Sequence, residues 1–159
     1  MNANLIVVTG CFGAPVKEKA QEIARQKGLP LVDLDSEITK RDGRSIRRLV
    51  MMNGEHGYRN LEYEILSELS SAASPCVVAC GDGVLYDDDS RGIIREGELI
   101  IAGTDLSEDE LWNNAKADSS TYHAFMSFGT DEEKRDAFSD LIRRQRSMFE
   151  EEILQGEKE

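Results

Sequence analysis

The chain has little proline and little cysteine, three of each in 159 residues, and only 6% of it is aromatic. Three cysteines, Cys11, Cys76 and Cys80, are too few for a disulfide framework. Cys76 and Cys80 fall on one face of an expected strand, so they could join a metal site only if His56 or His123 came close. Buried thiols are the simpler reading, and no metal site is expected. No apolar run approaches the ~20 residues of a membrane span. No basic segment with a signal-type apolar core stands at the N-terminus, which leaves the cytoplasm as the expected location. Basic side chains are also scarce, 19 against 31 acidic ones, for a formal net charge of −12. A surface of that sign does not neutralise the phosphates of a nucleic acid or an anionic bilayer, so neither is expected as a partner.

Internal repeats and low-complexity linkers are absent as well. With 40% hydrophobic residues, the length suits one domain over residues 1–159 with a real core. Leu5 to Val8 reads as a fully buried strand, and Lys17 to Lys27 as a helix with Ala20, Ile23 and Ala24 inward and Gly28 as its stop. A short strand, Leu31 to Asp33, follows at once, and strand, helix, strand within about thirty residues is a parallel βαβ unit. Ser36–Lys40 and Ser45–Met52 read as helices, the second ended at Asn53-Gly54, and Arg59–Ser71 as a longer amphipathic helix. Cys76–Ala79 and Glu98–Ala102 supply two more strands, separated by an acidic turn at Asp87-Asp88-Asp89. Ser107, with Glu110 three residues on, has the form of a capping box. Residues 116–129 show no period and read as a mobile loop, and a charged helix runs from about 131 to 154.

Between the first strand and the first helix lies Gly10-Cys11-Phe12-Gly13-Ala14-Pro15-Val16-Lys17. A phosphate loop, G-x-x-x-x-G-K-[ST], would sit here, its backbone N–H groups curling around phosphates, its Lys on the terminal phosphates and its hydroxyl on Mg²⁺. In the last three positions stand Pro15, which has no N–H, uncharged Val16, and Lys17, whose ammonium has no lone pair for a metal. Sliding the register by one residue puts Glu18 at the hydroxyl position and Val16 at the glycine. On these residues alone the segment is an ordinary strand-to-helix turn.

Taken together, the segments resemble the shikimate kinase family of small P-loop kinases. Gly28-Leu29-Pro30-Leu31-Val32-Asp33-Leu34-Asp35 is similar to its G-L-P-F-V-D-x-D, and Gly43-Arg44-Ser45-Ile46 matches its G-x-S-I. Gly54-Glu55-His56-Gly57-Tyr58-Arg59-Asn60-Leu61-Glu62 matches G-E-x-x-F-R-x-x-E with Tyr for Phe, and Gly81-Asp82-Gly83 stands where the family has three glycines. The resemblance implies a three-layer α/β fold, a parallel sheet of about four strands flanked by helices. It implies Asp35 as acceptor for substrate hydroxyls, Arg59 as partner of a substrate carboxylate, Gly81, Asp82 and Gly83 as further substrate-binding residues, and Asp33 as a catalytic residue near Mg²⁺. The plain alternative is that Asp33 and Asp35 end a strand and cap the next helix while Arg59 pairs with Glu55 or Glu62. In the light of the resemblance, Gly10, Gly13 and Lys17 read as the remains of the phosphate loop.

The departures lie on the nucleotide side. No Arg stands between Asn113 and Thr130, the lid-like segment at about 113–129, where Lys116 and His123 are the basic side chains. The C-terminal helix of the family carries an Arg four residues before a Tyr; here Phe149 has Gln145 at that offset, flanked by Arg144 and Arg146, so substrate contact from this helix is not expected. The family's last strand and adenine loop have no counterpart before Glu159, which leaves the strand at 99–102 as a sheet edge. The expected function is a binding or regulatory protein that has lost phosphoryl transfer, keeps a pocket for a small hydroxylated acid, and needs no cofactor. The alternative is a working kinase using ATP and Mg²⁺, with Lys17 rebuilding the phosphate site and Arg144 or Arg146 serving as the missing arginine. A homodimer or protein partner is expected at the 99–102 edge or the final helix.

Overall fold

The computed structural model describes residues 5–118 and 121–158, so Ser119 and Ser120, inside the lid-like segment, lie outside the described residues. Strand β1 (Leu5–Gly10) is buried along its whole length. Its side chains alternate between faces: Leu5 and Val7 enter one apolar cluster, Ile6 and Val8 the other. Burial on both faces is what a parallel strand between two helical layers requires. Strands β2 (Leu31–Asp33), β3 (Cys76–Ala79) and β4 (Glu98–Ala102) complete a parallel sheet in the order β2-β3-β1-β4. Val7 lies opposite Val78 of β3 and Leu99 of β4.

Helix α1 (Val16–Lys27) covers the Ile6 and Val8 face with Ala20, Ile23 and Ala24. The opposite face carries α2 (Leu34–Asp42), α3 (Ile46–Ser71), α4 (Asp88–Arg95), α5 (Glu108–Ala117) and α6 (Asp131–Lys158). Leu34, Leu49, Ile65, Ile94, Leu111 and Phe138 meet there in one core. The three-layer α/β architecture with a four-stranded parallel sheet is the one the sequence implies. Cys11, Cys76 and Cys80 are buried free thiols. Among the described residues no group of three His, Cys, Asp or Glu side chains is arranged to hold a metal ion, and no helix is long and apolar enough to cross a membrane.

Several boundaries differ from the sequence reading. Helix α2 begins at Leu34, because the Asp33 carboxylate accepts from Ser36 N–H at 3.3 Å and caps the first turn two residues earlier than expected. The break expected at Asn53-Gly54 is present, Gly54 being non-helical (φ 77°, ψ 170°) and dividing α3 into two helical parts, but the second part resumes at once and not at Arg59. The acidic turn at Asp87–Asp89 is the start of α4: Asp87 accepts from Ser90 N–H at 2.9 Å, and Asp88 and Asp89 sit favourably at the positive helix end. Residues 124–127 of the expected loop form a 3₁₀ turn, and α6 runs past Leu154 to Lys158. Buried Glu152 fastens that last stretch to α4, meeting Arg91 Nε at 3.2 Å and Arg95 Nη2 at 2.7 Å. The capping box forms as expected, Glu110 N–H donating to Ser107 Oγ at 3.1 Å and Ser107 N–H to Glu110 Oε1 at 3.2 Å.

Candidate functional site

Two cavities open along the C-terminal ends of the strands, where open α/β sheets bind ligands. The first, about 550 Å³, lies under the turn from Gly10 to Lys17, and the second, about 540 Å³, lies between α3, α6 and residues 121–124. Asp35, Gly81, Asp82 and Thr121 line both.

The turn follows β1 and feeds α1, as a phosphate loop would, but three of its N–H groups are engaged within the protein. Phe12 N–H donates to Gln145 Oε1 at 3.0 Å, Ala14 N–H to the Cys11 carbonyl at 2.9 Å, and Val16 N–H to the Ala14 carbonyl at 2.9 Å. Pro15 has no N–H to give. Gly13 has φ 100°, and a Cβ there would collide with the Leu111 carbonyl of α5, so α5 presses directly on the turn. Asn114 of the same helix donates to the Gly13 carbonyl at 3.0 Å. Lys17 Nζ lies 3.3 Å from Asp33 Oδ2, with its side chain 56% exposed. Glu18, Asp33, Asp35, Asp82 and Asp118 also line the first cavity, and among the described lining residues Lys17 is the one cationic side chain. Burial pushes the Cys11 thiol up to about 11, with Arg146 opposing.

The second cavity is built differently. Tyr58 O–H donates to Asp35 Oδ1 at 2.5 Å, and burial raises the Asp35 carboxyl above the ordinary range although that bond works the other way. Arg59 Nη1 meets Glu62 Oε1 at 2.6 Å and Nη2 meets Glu55 Oε1 at 3.1 Å, so both pairings of the plain alternative exist together. Glu62 is wholly buried, and burial raises its pKa to about 7 against the pull of Arg59. Burial disfavours the Arg59 charge, but Glu62 and Glu55 outweigh it and hold the guanidinium protonated. A Cβ on Gly83 would collide with Arg59 Nη2, so glycine at that position leaves room for the guanidinium.

Asp82, where the family has a glycine, is not a free negative charge. Its side chain is 10% exposed, and Oδ2 takes His123 Nε2 at 2.8 Å and Gln145 Nε2 at 2.5 Å. Burial works against its ionisation, but these two bonds hold its pKa below the usual range. The final helix does face the second cavity: Arg144 lines it, while Arg146 donates to the Leu106 carbonyl at 2.8 Å. The residues singled out in the sequence therefore divide between the cavities. Gly10, Gly13, Lys17 and Asp33 border the first, Arg59 and Gly83 the second, and Asp35, Gly81 and Asp82 both. Sequence reasoning named Arg144 only under the working-kinase alternative and missed Gln145, whose partners lie far away along the chain.

A loop-bearing first strand in a β2-β3-β1-β4 parallel sheet defines the P-loop kinase class of α/β fold. The shikimate kinase family model matches residues 18–152, and the chain belongs to that family. It is 35% identical over 98 residues to the shikimate kinase of Chlorobium limicola, a match covering 62% of this chain and 49% of that protein. It is 32% identical over 114 residues to that of Paracidovorax citrulli, covering 71% of this chain and 62% of that one. The chain thus spans about half to two thirds of the length of these relatives. Among solved structures, the shikimate kinase of Acinetobacter baumannii in complex with shikimate superposes with a TM-score of 0.80 at 21% identity, covering 94% of this chain and 80% of that one. That of Bacteroides thetaiotaomicron gives 0.75 at 23% identity, covering 90% and 80%.

Proposed function

We propose that the protein, acting as one domain in the cytoplasm, binds a small hydroxylated carboxylic acid without transferring phosphate from ATP, as a binding or regulatory protein. The observation that carries this reading is the hydrogen bonding of the turn at Gly10–Lys17. Its Phe12, Ala14 and Val16 N–H groups are engaged within the protein, so they are turned away from the task of cradling a phosphate. ATP with Mg²⁺ does not fit the first cavity: an ammonium paired with Asp33 stands at the hydroxyl position, and five carboxylates face one lysine. Phosphoryl transfer depends on positioning and charge neutralisation, and each lost contact of that kind costs about two to three decades of rate. The second cavity keeps an acceptor for hydroxyls at Asp35 and guanidinium donors at Arg59 and Arg144. The Acinetobacter baumannii relative is in complex with shikimate, which supports an acid of that class as ligand.

Isothermal titration with shikimate and with Mg·ATP, run separately, tests the reading. Expected are binding of shikimate that weakens in Arg144→Ala and no heat from Mg·ATP at micromolar concentration. Micromolar binding of Mg·ATP overturns it.

One observation favours a second reading, a working small-molecule kinase. Lys17 Nζ sits 3.3 Å from the carboxylate that the family resemblance puts beside the metal, so it supplies a fixed positive charge there. A coupled assay with shikimate and ATP separates the two: turnover that vanishes in Lys17→Ala establishes the kinase, and a flat trace ends it. A protein partner or second copy along the outer edge of β4 or at the final helix belongs to the first reading, since among the described residues β4 pairs only with β1 and Glu98 is exposed there. Sedimentation of a monomer alone at micromolar concentration removes the homodimer.

A further inference from the structure

A hydrogen-bonded chain built on departures from the family pattern runs between the two cavities. Gln145, 0% exposed on α6, accepts from Phe12 N–H with Oε1 and donates from Nε2 to Asp82 Oδ2. The same Asp82 oxygen meets His123 Nε2 at 2.8 Å. The His123 ring lies 4.4 Å from the Phe12 ring and 5.6 Å from the Phe125 ring, centroid to centroid, and Phe12 and Phe125 themselves meet at 6.5 Å. The circuit therefore closes on itself: turn to α6, α6 to cavity floor, floor to residues 121–128, and those residues back to the turn.

The links are strong ones. A carboxylate this buried is costly to strip of its donors, and a buried amide that loses both partners leaves two unsatisfied groups. The segment they hold forms part of the wall of the second cavity through Tyr122, His123 and Ala124, while Thr121 borders both cavities. Arg47 lies over the Tyr122 ring at 5.8 Å from its centre, a contact from α3 that steadies the same segment.

We propose that Gln145, Asp82 and His123 form a latch that keeps residues 121–128 closed over the second cavity and ties that closure to the backbone of the turn at Phe12. Breaking the bond at Asp82 frees the segment and, through Gln145, loosens a backbone N–H that Asp82 never touches. The latch belongs to the protein without ligand, and it stands whether or not phosphate is transferred.

Residue-resolved hydrogen exchange on the ligand-free full chain tests it, with thermal melting as the check on folding. His123→Phe keeps a ring against Phe12 and removes the bond. The Met126 amide, which donates to the His123 carbonyl at 3.0 Å, should then exchange about tenfold faster. In Asp82→Ala both the Met126 and Phe12 amides should accelerate by about that factor. A Met126 amide unchanged in folded His123→Phe overturns the latch, and a Phe12 amide unchanged in folded Asp82→Ala overturns the tie to the turn. Where Asp82→Ala does not fold, Asp82→Ser replaces it and is read in the same way at both amides, an unchanged Met126 again overturning the latch.

Discussion

The two cavities share a floor but differ in what their charged groups do. Around Arg59, charges are buried, paired and given room by glycine at position 83, so the guanidinium is held ready in a fixed place. Around Lys17, the ammonium is more than half exposed, its partner Asp33 also serves as a helix cap, and the surrounding backbone has closed on itself. A site for a ligand keeps polar groups in place and leaves them accessible. The first cavity has the position of such a site, and the second also has the groups.

The largest effect expected from breaking this contrast is at Arg59. Arg59→Ala leaves Glu62 buried without its ion partner and should cost about 3 to 5 kcal/mol in urea unfolding. Next comes the pH dependence that Glu62 imposes. Its folded pKa of about 7 lies above its ordinary 4.5, so the folded state holds the proton more tightly. Its contribution to stability is therefore fully present below pH 4.5 and is lost as pH rises toward 7. Glu62→Gln should remove that slope, a difference of up to about 3 kcal/mol between the two ends of the window, read from urea midpoints at each pH. The smallest effect is expected at Lys17. Lys17→Ala breaks an exposed pair and should change stability by about 0 to 1 kcal/mol, shrinking further in high salt. A loss at Lys17 as large as that at Arg59 would erase the contrast.

Much of the fold was legible because its signals are local. The β1 run, the Ser107–Glu110 box and the apolar face of α1 each declare themselves within one element. Helix α4 did not, since three aspartates and Gly92 in eight or nine residues look like a turn until Asp87 is seen capping Ser90. At the candidate site, Asp35 and Arg59 were singled out through the family resemblance. The Gln145 network was not, because its partners lie 133 and 63 residues away along the chain. The sequence showed two separate oddities, an Asp among glycines and a Gln where the family has Arg. Only the packing of α6 against the turn joins them into one feature.

The contact between Gly13 and the Leu111 carbonyl bears on any attempt to rebuild a nucleotide site in this chain. Reinstating a lysine and a hydroxyl after Pro15 would alter side chains only. The Phe12 N–H would still be bound to Gln145, and α5 would still rest on Gly13. Single reversions should therefore each yield nothing measurable, and gain would come only when the turn, α5 and residue 145 change together. On the binding-protein reading proposed above, such a landscape would work as an evolutionary ratchet: a lineage entering this packing would have no sequence of individually rewarded steps leading back.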